Sequence, residues 1–230
     1  MKHLLDNLKI KFAIFIMAFY YSINLAGQGV FVKKADGILM VESKYVDVEG
    51  SPYMEDQFTA GEVKLRQNEK WQQYSKARYD TFKDEFEYEQ SSNAKLLRFD
   101  ASHITEFKLN GNIFRCNFPA IGEWNNRHFY QVLYDGNIKL LKKIYTKIIT
   151  PTDFGSVTKA SSFVREEKLY VIKNEKIQYI KRKKSDILAI LNDKESAIKD
   201  FVKSNQLDYS IEGDVIKIME FYDREISLKQ

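Results

Sequence analysis

The sequence predicts an α+β domain in which an antiparallel β-sheet is followed by three C-terminal helices. Stretches that alternate apolar and polar residues fill the middle of the chain, as half-buried strands do. Turn dipeptides that favour hairpins separate several of these stretches. After Lys184 the apolar spacing changes to that of helices. Strands first and helices last is the order expected of an α+β fold.

Three hairpins in series predict the antiparallel character of the sheet. Each has a turn dipeptide between two strand-like stretches: Asn110-Gly111 between 106–109 and 112–116, Asp135-Gly136 between 129–134 and 138–141, and Asn174-Glu175 between 168–173 and 176–181. Asn-Gly and Asp-Gly tolerate the positive φ angles of a type I′ turn. With further alternation at 62–66 and 85–89, we expect about eight to ten strands in a sandwich-like or barrel-like meander. Residues 146–162 are the best candidate for a long connection.

Three short helices are predicted at the C-terminal end. Ser185 and Asp193 can cap the first two, and the third follows Gly213. Each carries apolar residues at helical spacing: Ile187, Leu188, Ile190 and Leu191; then Ala197, Ile198, Phe201 and Val202; then Val215, Ile218, Met219 and Tyr222. Because a one-sided apolar stripe must pack on something, we expect residues 185–230 to cover the sheet of residues 28–184 within one domain.

Residues 1–27 have the three parts of a secretory signal peptide. Three lysines precede the apolar run 12–21, and the small residues Ala26 and Gly27 follow it. A membrane anchor is the alternative, but a spanning helix needs roughly 20 apolar residues. Cleavage after Gly27 leaves Gln28 first, where a lipoprotein would need cysteine. We therefore expect export, with no transmembrane span after cleavage.

The composition argues against several classes of partner and site. Removal of residues 1–27 takes three lysines and one aspartate, which lowers the net charge from +4 to +2. That value is too near neutral to indicate a nucleic-acid-binding protein. The single cysteine, Cys116, excludes an intramolecular disulfide. The mature chain keeps His103 and His128 without metal-ligand spacing around them, so we predict neither a metal nor a cofactor.

Cys116 is the one candidate nucleophile, with His103 or His128 as its base. The alternative is a core residue, because alternation puts Phe114, Cys116 and Phe118 on one strand face. A free cysteine between two phenylalanines usually packs as a small apolar side chain. We favour the core interpretation and predict no catalytic residue.

Two charged runs admit both a functional and a structural interpretation. Glu85, Glu87 and Glu89 alternate along one strand face and could serve acid–base chemistry, but they are more simply a solvated face that blunts a sheet edge. The run Lys181–Lys184, with Tyr179 near it, could meet nucleic acid or anionic lipid headgroups. A solvated strand-to-helix junction is the simpler interpretation.

The loop 117–128 is the strongest candidate for binding. It presents an aromatic ring beside amide, guanidinium and imidazole groups, which is suitable chemistry for sugars or peptides. The residues concerned are Trp124, Asn125, Asn126, Arg127 and His128. The alternative is that Trp124 covers the end of the sheet, in which case its replacement by alanine would cost stability and not binding.

The mature chain resembles a family of uncharacterised secreted proteins from Bacteroidota. The resemblance lies in Gly50–Tyr53, in the stretch Phe129–Lys143, and in the C-terminal part from Lys168 through Asn205-Gln206 to Asp214–Lys217. What the resemblance implies is a Gram-negative source and a place in the bacterial envelope, so the expected destination is the periplasm, the outer membrane or the outside of the cell. It transfers no active site.

These observations favour a non-catalytic envelope protein that binds a partner protein or a glycan. Titratable residues do not converge in the sequence, whereas aromatic residues and polar loops are plentiful. The alternative is a carboxylate-dependent hydrolase that acts on envelope glycan or peptide. A deep acidic cleft would favour the hydrolase, and a flat or aromatic-lined surface would favour the binding protein.

Overall fold

One mixed β-sheet followed by three helices organises the chain, which confirms the α+β fold class. The computed structural model describes residues 38–39, 45, 48–90, 95–151 and 160–227. The predicted signal peptide, residues 1–27, lies outside these described residues. From Ile38 onward, all of them belong to one compact unit.

The strands of the described residues are β1 (Ile38–Leu39), β2 (Val48–Glu49), β3 (Thr59–Leu65), β4 (Trp71–Asp80), β5 (Glu85–Gln90), β6 (Lys95–Phe99), β7 (Ile104–Leu109), β8 (Asn112–Arg115), β9 (Tyr130–Asp135), β10 (Lys139–Ile149), β11 (Ser161–Lys173) and β12 (Lys176–Ile180). Eleven follow the order β1-β6-β5-β4-β3-β7-β8-β9-β10-β11-β12, and β2 pairs with β11. Because β2 runs parallel to β11, the sheet is mixed, whereas the sequence predicts an antiparallel one.

The described residues form twelve strands, more than the predicted eight to ten, because several of these strands have no alternating pattern in the sequence. Strands β1 and β2 have two residues each, and β4 begins with polar, exposed residues. The predicted long connection at 146–162 is also wrong in its bounds. Strand β10 continues to Ile149, which pairs with Ser162 near the start of β11.

All three predicted hairpins form, and two have the predicted turn. Both turn residues have positive φ at Asn110-Gly111 (50° and 75°) and at Asn174-Glu175 (51° and 63°). The turn after Asp135 is different, since three residues, 136–138, separate β9 from β10 and Gly136 is not among the glycines with positive φ. A Cβ atom at Gly136 would lie 1.9 Å from a carboxylate oxygen of Asp223. Close approach, not turn geometry, therefore requires this glycine.

The helical region comprises α1 (Lys184–Ile190), a 3₁₀ turn (Asn192–Lys194), α2 (Glu195–Ser204) and α3 (Glu212–Ser227). The predicted apolar stripes are largely buried, but the predicted caps are wrong. Helix α1 begins one residue before Ser185 without a side-chain cap, and Asp193 lies inside the 3₁₀ turn. Helix α3 includes Gly213. No helix within the described residues is long and apolar enough to cross a bilayer.

Three apolar clusters hold these elements together. The first lies against β3–β8 and is rich in phenylalanine and tyrosine. The second joins β9–β12 to the helices, and the third lies on the opposite face of the same strands. Neighbouring residues of β10 show the division, since Leu140 belongs to the second cluster and Leu141 to the third. Alternate side chains of a strand point to opposite faces, so this part of the sheet is covered on both sides.

Candidate binding groove

A groove of about 440 Å³ lies between the loop 117–128 and the last two strands. We call it the aromatic groove. Its lining residues are Ile121, Gly122, Glu123, Trp124, Lys168, Tyr170, Tyr179 and Lys181.

The floor of the aromatic groove consists of alternating side chains on β11 and β12. Tyr170 and Tyr179 are direct cross-strand partners, and their ring centroids lie 5.9 Å apart. Lys168 and Lys181 each stand two residues from one of these tyrosines, so the two-residue period of a strand puts all four side chains on one face. Tyr170 is buried, whereas Tyr179 is 48% exposed. Tyr179 therefore presents a ring that a ligand can reach.

The loop that forms the wall is held by its own main chain. Ile121 and Trp124 exchange two main-chain hydrogen bonds of 2.8 and 3.0 Å, and the Asn117 amide donates to the Asn126 carbonyl at 2.7 Å. The indole ring of Trp124 packs on Tyr145, with 4.9 Å between centroids. Because these contacts fix the loop, the wall of the groove is preorganised.

The five predicted binding residues have two different roles in the structure. Trp124 lines the groove, whereas Asn125, Asn126, Arg127 and His128 are not among its lining residues. The Asn125 side chain accepts a hydrogen bond from the Arg127 amide at 2.9 Å, and the Asn125 amide donates to the His128 ring at 3.0 Å. These polar groups stabilise the loop that carries Trp124.

Two features that lie far apart in the sequence meet at the groove. The basic run Lys181–Lys184 joins β12 to α1 and is exposed, as the interpretation of a solvated junction predicts. Its first member, Lys181, nevertheless lines the groove with Trp124. Lys168 and Tyr170, which sequence reasoning assigned only to a hairpin, supply the rest of the floor. The signal that could have found them is the register of the hairpin, which puts Tyr170 opposite Tyr179 and Lys168 two residues before Tyr170 on the same face.

A smaller cavity of about 180 Å³ adjoins the groove and shares Lys168, Tyr179 and Lys181 with it. Its lysine on β10, Lys142, is paired with Glu212 of α3 at 2.8 Å. Lys168, Tyr179 and Lys181 therefore line both depressions.

A larger cavity, of about 720 Å³, lies beside the Asn110-Gly111 turn. Its charged and amide groups satisfy one another, because Glu62 accepts hydrogen bonds from Gln73 at 3.0 Å and from Lys108 at 3.2 Å. Compared with this cavity, the aromatic groove has more exposed aromatic surface, and its charged groups are less fully paired. We therefore regard the aromatic groove as the better candidate site.

The three glutamates of β5 do share a face, but they are not a simple solvated surface. Each forms an ion pair of 2.9 Å with a neighbouring strand: Glu85 with Arg98, Glu87 with Arg78, and Glu89 with Lys76. The Glu87 side chain is fully buried. Burial raises the pKa values of Glu85 and Glu87, although their arginine partners act in the opposite direction. This ladder ties strands together and does not face the aromatic groove.

Cys116 lies in the first apolar cluster and is 1% exposed. Its thiol contacts the Thr105 carbonyl at 3.4 Å, and burial raises its pKa. Phe118 does not share its face as predicted, because Asn117 has a φ of 69° that breaks the alternation. Phe118 belongs to the third cluster instead.

The fold and the groove together define an α+β domain with an aromatic, basic-rimmed depression on one sheet face. Within the described residues, no three histidine, cysteine, aspartate or glutamate side chains are grouped as metal ligands. Comparisons with protein families, with curated proteins and with solved structures give no match.

Proposed function

We propose that this protein is exported to the cell envelope and binds a partner protein or a glycan there, without catalysing a reaction. The observation that carries the proposal is the aromatic groove. Trp124 and Tyr179 line it together with Lys168 of β11 and with Lys181, which directly follows β12. Rigid aromatic surface beside a few polar groups is the common composition of binding sites.

The rigidity of the groove supports binding. Its floor belongs to the paired strands β11 and β12, and its wall is the loop closed by the main-chain bonds between Ile121 and Trp124. A site that is already ordered does not lose conformational freedom when the ligand arrives. Little of the binding free energy is then spent on ordering the protein.

The charge of the groove argues against the hydrolase alternative. Hydrolysis of a glycosidic bond by carboxylates requires two of them in one cleft. Glu123 is the single carboxylate among the described lining residues. Glu85 and Glu87 are engaged with Arg98 and Arg78. The surface of the groove is aromatic and basic, which supports binding rather than hydrolysis.

Export is supported by the sequence of residues 1–27 and by the resemblance to secreted proteins of Bacteroidota. The measurement is the N-terminal residue of the protein isolated from its source cell by mass spectrometry. We expect Gln28 or a close neighbour. A mature chain that retains residues 9–21 would contradict export by a cleaved signal.

Binding is tested by photocrosslinking in the native envelope. A benzoylphenylalanine residue replaces Tyr179 in one variant and Trp71 in a matched control, because both side chains are among the exposed aromatics and only Tyr179 lines the groove. We expect a specific adduct from position 179 and none from position 71. Equal adducts from the two positions, or none from position 179, would contradict the proposed function.

A further inference from the structure

We infer that the aromatic groove selects an acidic glycan, with a sugar ring stacked on Tyr179 and a carboxylate of that glycan held between Lys168 and Lys181. This inference rests on the proposed binding function and adds the chemical class of the ligand. It is carried by a row of lysines that the sheet brings together.

Three lysines form this row: Lys143 on β10, Lys168 on β11 and Lys181 directly after β12. Lys143 and Lys168 are register partners. Leu169 pairs with Ile180 at the end of β12, so Lys181 follows opposite Lys168, and both line the groove. Like charges directly opposite each other on a sheet are destabilising. The arrangement therefore favours an anion between the lysines.

The protein itself neutralises the first lysine far better than the other two. Lys143 is buried and lies 2.9 Å from Asp84. Lys168 has Glu123 at 3.9 Å, and that glutamate is 60% exposed. Within the described part of the chain, Lys181 forms no side-chain ion pair. Two ammonium groups at the groove thus lack a close, buried counter-charge, which is what a ligand carboxylate would supply.

The aromatic floor favours a sugar over a peptide. One face of a pyranose ring consists of C–H groups, which are attracted to the electron-rich face of an aromatic ring, and the Tyr179 side chain is 48% exposed. An extended peptide gains most from main-chain hydrogen bonds to a sheet edge. Strand β12 is an edge strand, but the groove lies on the face of the sheet, where the side chains of Lys168, Tyr170 and Tyr179 line it. The volume of about 440 Å³ also lies in the range of small-ligand sites.

The test compares acidic and neutral sugars of one length. The probes are tetramers of galacturonic acid and of mannuronic acid, the carboxyl-reduced neutral form of each, and polyglutamate, titrated into the mature protein by calorimetry. We expect at least one acidic tetramer to bind about tenfold more tightly than its neutral form, because charge-assisted hydrogen bonds are about twice as strong as neutral ones. The advantage should shrink at high salt, since exposed charges are screened.

Two variants assign the selectivity to the lysine pair. Lys168→Gln and Lys181→Gln should each lower the affinity for the acidic tetramer about tenfold and leave the neutral form unchanged. Lys183→Gln is the matched control, because Lys183 belongs to the same basic run without lining the groove. We expect it to bind as the wild type does. Melting curves for all three variants verify that they are folded.

The remaining outcomes separate this inference from the proposed function. Equal binding of acidic and neutral tetramers, abolished by Tyr179→Ala, would overturn the selection for charge and leave a glycan-binding groove. Binding of polyglutamate without either sugar would overturn the glycan and leave a groove for acidic peptides. If no probe binds, the acidic glycan is wrong, and crosslinking at position 179 decides alone whether the groove binds anything.

Discussion

The ammonium group of Lys143 lies 2.9 Å from a carboxylate oxygen of Asp84, and this buried ion pair joins β10 to the turn between β4 and β5. Lys143 also donates to the Phe129 carbonyl at 2.9 Å, and Asp84 accepts from the Phe129 amide at 3.1 Å. The Tyr79 hydroxyl donates to the same carboxylate. Burial lowers the pKa of Lys143, although Asp84 acts against this shift.

Breaking this pair on one side should be costly. Lys143→Met leaves the Asp84 carboxylate without its cation, and we expect the free energy of unfolding to fall by about 3–5 kcal/mol. Urea denaturation measures the change. The double variant Lys143→Met/Asp84→Asn should lose less than the sum of its two single variants, because neither charge is then left alone. Additive losses would contradict a coupled pair.

Stability should decrease in alkaline solution because several tyrosines have raised pKa values. Burial, followed by the Asp223 hydrogen bond, raises the pKa of Tyr134 from 10.0 to about 12. Burial, followed by the charge of Glu87, raises the pKa of Tyr53 to about 12 as well. The unfolded chain then loses its phenolic protons at a lower pH than the folded chain. The stabilising contribution is complete below about pH 10 and is lost as the pH rises through about 12.

Urea midpoints at about pH 9 and about pH 11 test this expectation, and the midpoint should be lower at the higher pH. Tyr134→Phe removes one contributing phenol, so its midpoint should depend less on pH than that of the wild type. During an alkaline titration, the tyrosinate absorbance of the folded protein should rise at a higher pH than that of the unfolded chain. A midpoint that rises between the two pH values would contradict the assignment.

Gly136→Ala tests the contact between the β9–β10 turn and α3. Asp223 accepts hydrogen bonds from the Asn137 amide at 2.9 Å and from the Tyr134 hydroxyl at 2.9 Å, and a Cβ at Gly136 would collide with its carboxylate. We expect a loss of about 1–3 kcal/mol, as overpacking usually costs, measured by thermal or urea unfolding.

A double variant identifies the cause. In an Asp223→Ala background the added methyl group meets no carboxylate but still lies 2.7 Å from the Tyr134 hydroxyl, so Gly136→Ala should cost less there than in the wild type without becoming neutral. Gly111→Ala is a useful contrast, because a Cβ there would meet nothing within 4 Å while φ is 75°. Any cost at that position comes from the backbone conformation alone.

Cys116→Ser should lower the free energy of unfolding by about 1–3 kcal/mol, because it replaces a thiol packed in the first apolar cluster by a smaller and more polar hydroxyl, although the Thr105 carbonyl and the Arg66 guanidinium lie within 3.4 Å of the thiol. Labelling of the native protein by a thiol reagent should be slow, since Cys116 is buried and its raised pKa reduces the thiolate fraction. Labelling in urea provides the reference rate. Fast labelling of the native protein, with unchanged stability of the variant, would mark a reactive thiol.

Local features of the fold could be predicted from the sequence because they depend on neighbouring residues. Asn110-Gly111 takes the positive φ angles that its residue types favour, and the stripe with Ile198 and Val202 in α2 is buried as its spacing indicates. Strand order is different. Strand β3 pairs with β7 and β1 with β6, and such non-sequential pairings leave no mark in local alternation.

The candidate site could be predicted only in part for the same reason. The composition of the loop identified Trp124, because a large aromatic ring in a polar loop is a local signal. Lys168 and Tyr170 join it through the pairing of long strands, and the burial of Lys143 depends on Asp84 in a distant turn. Sequence patterns on β10 and β11 predict strands without indicating which face a neighbouring loop will cover.

Trp124→Ala should reduce both stability and binding, because the indole ring serves the third cluster and the groove together. It packs on Tyr145 at 4.9 Å and on His128 at 5.2 Å between centroids, and it lies 5.2 Å from the Lys143 ammonium. Truncation of Trp124 therefore removes the side chain that lies over the buried Lys143 ammonium group. We expect a loss of about 2–3 kcal/mol, below the cost for a fully buried tryptophan because this ring is half-buried.

Two matched variants separate the two effects. Trp71→Ala removes an indole that is 40% exposed and lies outside the groove, so its stability should change by less than about 1 kcal/mol and its envelope binding should be unchanged. Tyr179→Ala removes the exposed ring of the groove and should abolish binding at nearly wild-type stability. If Trp124→Ala melts like the wild type, the packing on Tyr145 is not stabilising. If Trp124→Ala binds like the wild type while Tyr179→Ala does not bind, the ligand contacts the floor of the groove and not its wall.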